Sequence, residues 1–319
     1  MAKPTVYVPR LLVAPVMAAI RERFHLPLEP DISPPSRETL AQGLRNAQAI
    51  ITTLTEHIDE TLLREAPRLQ VIANHAVGHN NIDLQAAKAR GVIVTNTPDV
   101  LTDATADLTW ALLLAAARRV TEGHRLVQTG AWTGWEPTQL LGAEVSGRTL
   151  GLIGMGRIGQ AVARRAAGFE MTVLYTSHKS VPSPDPVKPW QQVTLETLLR
   201  QADFISLHVP LTTDTRHLIG EQAFSLMRPT AILLNTSRGP VVDEAALVAA
   251  LKAARLAGAG LDVYEDEPRV HPGLLALPQV VTLPHLGSAT LGTRVRMGLL
   301  CVENVLAVLG GRPAPNRVI

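Results

Sequence analysis

Gly151-Leu-Ile-Gly154-Met155-Gly156-Arg157-Ile158-Gly159 is the stretch on which the reading of this chain turns. The strand-like run TLGLIG (149–154) enters it, and the helical pattern RIGQAVARRAA (157–167) leaves it. Strand, glycine turn and helix in that order fit G-x-G-x-x-G, the phosphate-binding turn of a dinucleotide unit. Gly154 permits the tight turn, Gly156 lets the backbone approach a diphosphate, and Gly159 lets helix and strand pack closely. The helix N-terminus adds unpaired amides and partial positive charge. The same pattern can also be a plain glycine turn in an α/β protein, so the rest of the chain has to decide.

Outward from the turn, short apolar, β-branched runs alternate with helical patterns. TVYVP (5–9), AIITTL (49–54), LQVIAN (69–74) and VIVTN (92–96) read as strands, with helices expected around 14–23, 36–46, 59–66 and 83–90. A second series starts at 149–154 and continues through 171–176, 203–209, 231–237, 259–264 and 280–285. Strands without polar alternation, separated by helices, imply parallel sheets covered on both faces. The expected fold class is α/β, with two doubly wound parallel-sheet domains: a Rossmann cofactor domain and a flavodoxin-like substrate domain. An apolar helix (103–120) and the segment TGAWTGWEPTQLLG (129–142) link the two series. The last helical run (290–311) follows a completed sheet and is expected to return to the first unit. The substrate domain is then discontinuous, 1–98 with 288–319, the dinucleotide domain spans 99–287, and the active site is expected in the cleft between them. VPSPDPVKP (181–189) reads as a surface loop.

Composition narrows the function. The chain has 319 residues, 46% apolar and 18% charged, with a formal net charge of +2, which argues against nucleic acid as a partner. The single cysteine, Cys301, excludes an intramolecular disulfide and a cysteine-only metal cluster; in its apolar helical setting it reads as a buried small hydrophobe, and no metal is expected. The opening MAKPTVYVPRLLV lacks the pattern of a secretory signal. The most apolar helical run, 110–117, is far shorter than the ~20 residues of a membrane span. The expectation is a soluble, cytoplasmic protein with no membrane partner.

Three stretches fall at the carboxyl ends of strands in the second series, where open parallel sheets place ligands. AILLNTSRG delivers Arg238, LDVYEDEP delivers Asp262 and Glu267, and VTLPHLGSAT delivers His285. Arg238 can clamp a carboxylate and polarise a keto oxygen. His285 can give a proton to the alkoxide that forms as hydride reaches the keto carbon, and Glu267 would orient the ring and favour its charged form. Each has a bland alternative: a surface charge, a loop carboxylate before proline, and a strand-end histidine satisfied by backbone. His208, before Val209-Pro210, reads as structural.

At this point the chain resembles the D-isomer-specific 2-hydroxyacid dehydrogenases, and within them the glyoxylate reductase/hydroxypyruvate reductase branch. The resemblance rests on NHAVGHNNIDLQAAKARGV, TNTPDVLTDATADL, GLIGMGRIGQA, HVPLT, NTSRGPVVDEAAL, GAGLDVYEDEP and PHLGSAT, in order over nearly the whole chain. It implies Arg238 as substrate binder, Glu267 as partner of the acid and His285 as proton donor. It implies that the Val77 and Gly78 amides receive the substrate carboxylate, that Leu54 lines the pocket, that Thr105 touches the cofactor near its phosphates and Asp262 its carboxamide region. Met155, Arg157, Ile158, Val209, Pro210, Thr236, Ser237 and Gly287 complete the expected cofactor contacts. A homodimer through 99–145 is implied, with Trp135 reaching the neighbouring subunit's site. Many members carry Tyr-Asp where this chain has His79-Asn80, and no regulatory domain is expected after the closing helix.

The cofactor is read from Leu174-Tyr-Thr-Ser-His-Lys-Ser180, where a dinucleotide unit selective for NAD usually carries an Asp or Glu. A carboxylate there would accept from a ribose 2′-OH but repel a 2′-phosphate; Ser177, His178 and Lys179 instead offer donors to that phosphate. NADP(H) is the expected cofactor, with NAD(H) as the second choice. The expected reaction is reduction of small 2-oxo acids, glyoxylate to glycolate and hydroxypyruvate to D-glycerate. Alternatives are a D-lactate or D-3-phosphoglycerate dehydrogenase, the latter disfavoured because 75–80 holds no Arg or Lys, and a dinucleotide-sensing scaffold.

Overall fold

A computed structural model describes residues 3–184 and 186–319; Met1, Ala2 and Asp185, the last within the expected 181–189 loop, lie outside the described residues. The chain divides into two compact units, residues up to Leu101 with Ser288–Ile319, and Thr102–Gly287. The division falls after Leu101. There Arg296 Nη2 donates to the Val100 carbonyl (3.4 Å).

The first unit runs β1 (Val6–Tyr7), α1 (Ala14–Arg23), α2 (Arg37–Leu44), β2 (Ala49–Thr52), α3 (Glu60–Arg64), β3 (Val71–Asn74), α4 (Leu84–Ala89) and β4 (Ile93–Thr95). Ser36, Asp59 and Asp83 cap α2, α3 and α4, each side chain accepting the amide three residues on. The strands pair in parallel in the order β1-β2-β3-β4. Parallel bridges Thr5↔His25 and Arg10↔Asp31 lay the segment after α1 along the far side of β1, so the chain crosses this sheet in flavodoxin-like order. Strand residues alternate between two cores. Tyr7, Ile50, Ile72 and Val94 face Leu40, Leu44, Leu62 and Leu63, whereas Val6, Ile51, Val71 and Ala73 face Val16 and Ile20 of α1. Cys301, Val302 and Val305 of the C-terminal helix Leu291–Leu309 complete that second core. The free edge of β4 is covered by the chain end, where the Val318 amide donates to the Val94 carbonyl (2.7 Å).

The second unit runs α5 (Thr102–Ala117), α6 (Val120–Gln128), β5 (Thr149–Ile153), α7 (Arg157–Ala166), β6 (Thr172–Thr176), β7 (Gln191–Gln192), α8 (Leu195–Gln201), β8 (Phe204–Leu207), α9 (Glu221–Leu226), β9 (Ile232–Asn235), α10 (Glu244–Lys252), β10 (Gly258–Leu261), α11 (Pro272–Leu275) and β11 (Val280–Thr282). With α12 (Leu291–Leu309) in the first unit, this completes the element order. Its sheet is wholly parallel, in the order β11-β10-β9-β8-β5-β6-β7. One face carries Leu150, Leu152 and Phe204 against α5 and α7; the other carries Ile205, Leu207 and Leu233 against α8, α9 and α10. Two elements go beyond the sequence expectation. The helix expected over 103–120 stops at Ala117, because Arg119 turns left-handed (φ 51°) and the Ala117 carbonyl accepts from the returning Ala143 amide (2.8 Å). A second helix, α6, follows with no buried residue, and the edge strand β7 is two exposed glutamines. Neither contributes a buried residue to the core. None of the described helices is long and apolar enough to cross a membrane.

The first unit buries a titratable group with an acid-side consequence. His75, 4% exposed, follows β3; burial, helped by the Arg294 charge, pushes its imidazole down to about 4. The folded state therefore keeps His75 neutral while the unfolded chain protonates near pH 6.5. Its contribution is complete above pH 6.5 and is lost as pH falls towards 4. Urea unfolding at pH 7 and pH 4.5 should show that His75→Gln loses roughly 2–3 kcal/mol less stability than wild type across that interval. Equal losses in both proteins would contradict this.

Candidate active site

The glycine turn sits where the winding of the second unit reverses, between β5 and its neighbours β6 and β8. Gly154 has φ 98°, and a Cβ on it would lie 2.5 Å from the His208 carbonyl oxygen at the end of β8. Backbone conformation and contact both exclude a side chain there. Gly156 caps α7 with extended backbone, and a Cβ on it would meet nothing within 4 Å. That open space at the N-terminus of a ten-residue helix fits a diphosphate, with the first amides of α7 as donors. Met155 is buried beneath the turn, Ile158 packs on the α5/α7 core and Arg157 is exposed at the first helical position. Val209 and Pro210 follow β8 beside Gly154. Desolvation pushes the His208 imidazole down to about 4, and its Nε2 pairs with Ser206 Oγ (2.9 Å), a structural arrangement.

After β6, Ser177 is half-buried and His178 and Lys179 are exposed. Both ends of this turn are pinned. Gln192 Nε2 donates to the Ser177 carbonyl (2.8 Å), and the Val181 amide donates to Tyr175 Oη (2.9 Å). The exposed Gln192 of β7 thus helps to hold the turn.

Arg238, Glu267 and His285 are brought together at the ends of β9, β10 and β11. His285 Nδ1 lies 2.8 Å from Glu267 Oε2, and Glu267 Oε1 accepts the Tyr264 amide (3.1 Å). Burial pushes the Glu267 carboxyl up, but the His285 hydrogen bond and charge, the Tyr264 amide and the Arg238 charge outweigh it. The net position is below the ordinary carboxylate value. Burial pulls the Arg238 guanidinium down, opposed by Glu267. With Nδ1 engaged by an ionised Glu267, Nε2 is the ring nitrogen left to exchange a proton with a reacting group.

The supports of this cluster were not legible as such. Asn235 accepts the Ser237 amide (3.0 Å) and hydroxyl (2.9 Å) on Oδ1 and donates Nδ2 to the Arg238 carbonyl (2.9 Å), an Asx turn that shapes the loop. Asp262 accepts the amides of Leu286 (2.6 Å) and Gly287 (2.8 Å), and burial raises its pKa against their pull. Thr105 Oγ1 donates to the Gly287 carbonyl (3.1 Å), and Thr109 pairs with Thr236 (2.8 Å). The tightest contact is at Gly239, where any Cβ would overlap the Tyr264 carbonyl and crowd the Glu265 amide (2.5 Å). Only bare backbone lets the Arg238 loop lie on the loop that carries Glu267. Trp135 is 80% exposed in the second unit; Leu54, Val77 and Gly78 lie half-buried at strand ends of the first.

Comparison with known proteins settles the family. The profile described as "D-isomer specific 2-hydroxyacid dehydrogenase, NAD binding domain" matches residues 110–287. A glyoxylate reductase of Thermococcus litoralis is 47% identical over 320 residues, covering 99% of this chain and 97% of that protein. The chain belongs to the D-isomer-specific 2-hydroxyacid dehydrogenase family. Among solved structures, a protein from Thermus thermophilus superposes with TM-score 0.92 at 46% identity, covering 99% of this chain and 100% of that one. An NADPH-dependent glyoxylate/hydroxypyruvate reductase from Sinorhizobium meliloti, solved with NADP and malonate, gives 0.86 at 34% identity, covering 99% and 97%. This member of the family is similar to its glyoxylate reductase branch and is an NAD(P)-dependent oxidoreductase.

The Gly239 contact makes a direct prediction. Gly239→Ala must push the Arg238 and Glu267 loops apart, and displacements of about 1 Å can cost 10²-fold in rate. Steady-state assays should show kcat/KM reduced on the order of 10²-fold; a variant within twofold of wild type would show that the contact does not hold the site.

Proposed function

We propose that this protein reduces small 2-oxo acids with NADPH, converting glyoxylate to glycolate and hydroxypyruvate to D-glycerate. The observation that carries the reading is the 2.8 Å His285–Glu267 pair at the strand ends of a dinucleotide-binding sheet, with Arg238 charged beside it. Bound NADPH would supply a hydride to the keto carbon. His285 Nε2 gives the proton that the resulting alkoxide takes up, and Glu267 holds the ring and balances its charge. Arg238 pairs with the substrate carboxylate and polarises the keto oxygen. In the first unit, the Val77 and Gly78 amides act as carboxylate receivers and Leu54 as a pocket-lining residue.

The cofactor preference follows from the turn after β6. A carboxylate about 4 Å from a 2′-phosphate would cost on the order of 1–4 kcal/mol, from bulk water to protein surface. This turn has Ser177, His178 and Lys179 instead. The protein acts as a homodimer, with Trp135 of a second copy completing the substrate pocket. Exposed Val127, Trp132, Trp135 and Leu141, along α6 and the segment after it, support that role.

Initial rates with glyoxylate and hydroxypyruvate, measured with NADPH and NADH side by side, test this reading. The expected result is turnover of both acids, with kcat/KM for NADPH at least about tenfold above NADH, equivalent to ~1.4 kcal/mol. Lys179→Ala should lower the NADPH value and leave the NADH value within about twofold. No turnover of either acid would overturn the activity; equal values or an NADH preference would overturn the cofactor assignment.

A further inference from the structure

The residues assigned to the carboxylate in the first unit are backbone amides, and no lysine or arginine stands among residues 75–80 to share the task. Such amides bind an anion only if they point the same way, so something must set their direction. Three consecutive carbonyls of the loop after β3 are tied down. The Ala76 carbonyl accepts the Thr97 amide (2.9 Å), the Val77 carbonyl accepts Asn96 Nδ2 (2.9 Å), and the Gly78 carbonyl accepts Asn74 Nδ2 (2.8 Å). In a planar trans peptide the N–H points opposite to the C=O of the same unit. Holding these three carbonyls therefore turns the amides of Val77, Gly78 and His79 away from the strand ends. Among the described residues, none of those three amides donates to a protein group.

The anchors are themselves held. Asn74 ends β3 and is fully buried. Asn96 lies just past β4, and its own amide donates to the Asn316 carbonyl (3.2 Å). Asn316 is locked to the buried Asn304 of α12 by reciprocal bonds, Nδ2 to Oδ1 at 3.1 Å and amide to Oδ1 at 3.0 Å. The direction of the amide row is thus fixed from two strands and from the C-terminal segment.

We infer that Asn74 and Asn96 are positioning residues for substrate, orienting a row of amides at Val77, Gly78 and His79 that binds the 2-oxo acid's carboxylate. The inference rests on the reading of this loop as the carboxylate receiver. Asn96 is the better probe, because it is only half-buried and its replacement leaves the core intact. Asn96→Ala frees the Val77 carbonyl; Asn96→Asp also sets a carboxylate, which cannot donate, beneath the amide row.

The experiment compares wild type with both variants in glyoxylate reduction. It also measures inhibition by oxamate, an unreactive mimic carrying the same carboxylate beside a carbonyl, NADPH affinity by fluorescence, and the thermal midpoint. Expected for Asn96→Ala are a glyoxylate KM and an oxamate inhibition constant raised about tenfold, with kcat within threefold and NADPH affinity and thermal midpoint unchanged. Asn96→Asp should raise both constants further. If wild type reduces no 2-oxo acid, the functional reading falls and this inference with it. If wild type is active and both variants keep its KM and oxamate inhibition, the positioning role alone is overturned. It is equally overturned if kcat, NADPH affinity and thermal midpoint fall in parallel with the rise in KM, the mark of a merely structural residue.

Discussion

Everything at the candidate site depends on one backbone contact, the Gly239 main chain resting against Tyr264 and Glu265. The loops after β9 and β10 carry Arg238 and Glu267, and their separation sets whether guanidinium and carboxylate feel each other. Both do, since each charge shifts the other's protonation equilibrium. Around this contact the remaining polar groups are spent on backbone. Asn235 shapes the first loop, Glu265 and Glu244 accept each other's amides across the second, and Asp262 and Thr105 grip the turn that follows His285.

The sheets explain why this can be built at strand ends. Parallel strands buried on both faces need no functional side chain within their length, so every polar device sits in the loops beyond them. The second unit uses those ends for charged side chains. The first uses its own ends for carboxamides, Asn74 and Asn96, which aim peptide groups rather than supplying charge. A pocket for an anion can be made either way, and amides avoid the desolvation that a second buried cation would incur.

How much of this the sequence disclosed follows from the kind of signal each feature leaves. Ten strands left apolar runs and were legible. The pair of parallel bridges at His25 and Asp31, the two exposed glutamines of β7 and α6, which has no fully buried residue, left no such run. Gly154 and Gly156 were readable because a motif spaces them; Gly239 was not, since its constraint comes from a loop distant in sequence. Asp262 was expected beside the cofactor's carboxamide, and its carboxylate accepts two backbone amides instead of lying idle. The Asn235 turn could have been found from NTSRG, an asparagine followed by small polar residues at a strand end.

In the proposed reaction His285, held by Glu267, gives the proton while the glycine turn independently holds the dinucleotide. His285→Ala separates these, with NADPH binding followed by fluorescence and glyoxylate reduction by absorbance in the same preparation. The expected result is unchanged NADPH affinity with turnover reduced on the order of 10²–10⁴-fold. Turnover near the wild-type rate in His285→Ala, with the cofactor bound, would contradict it.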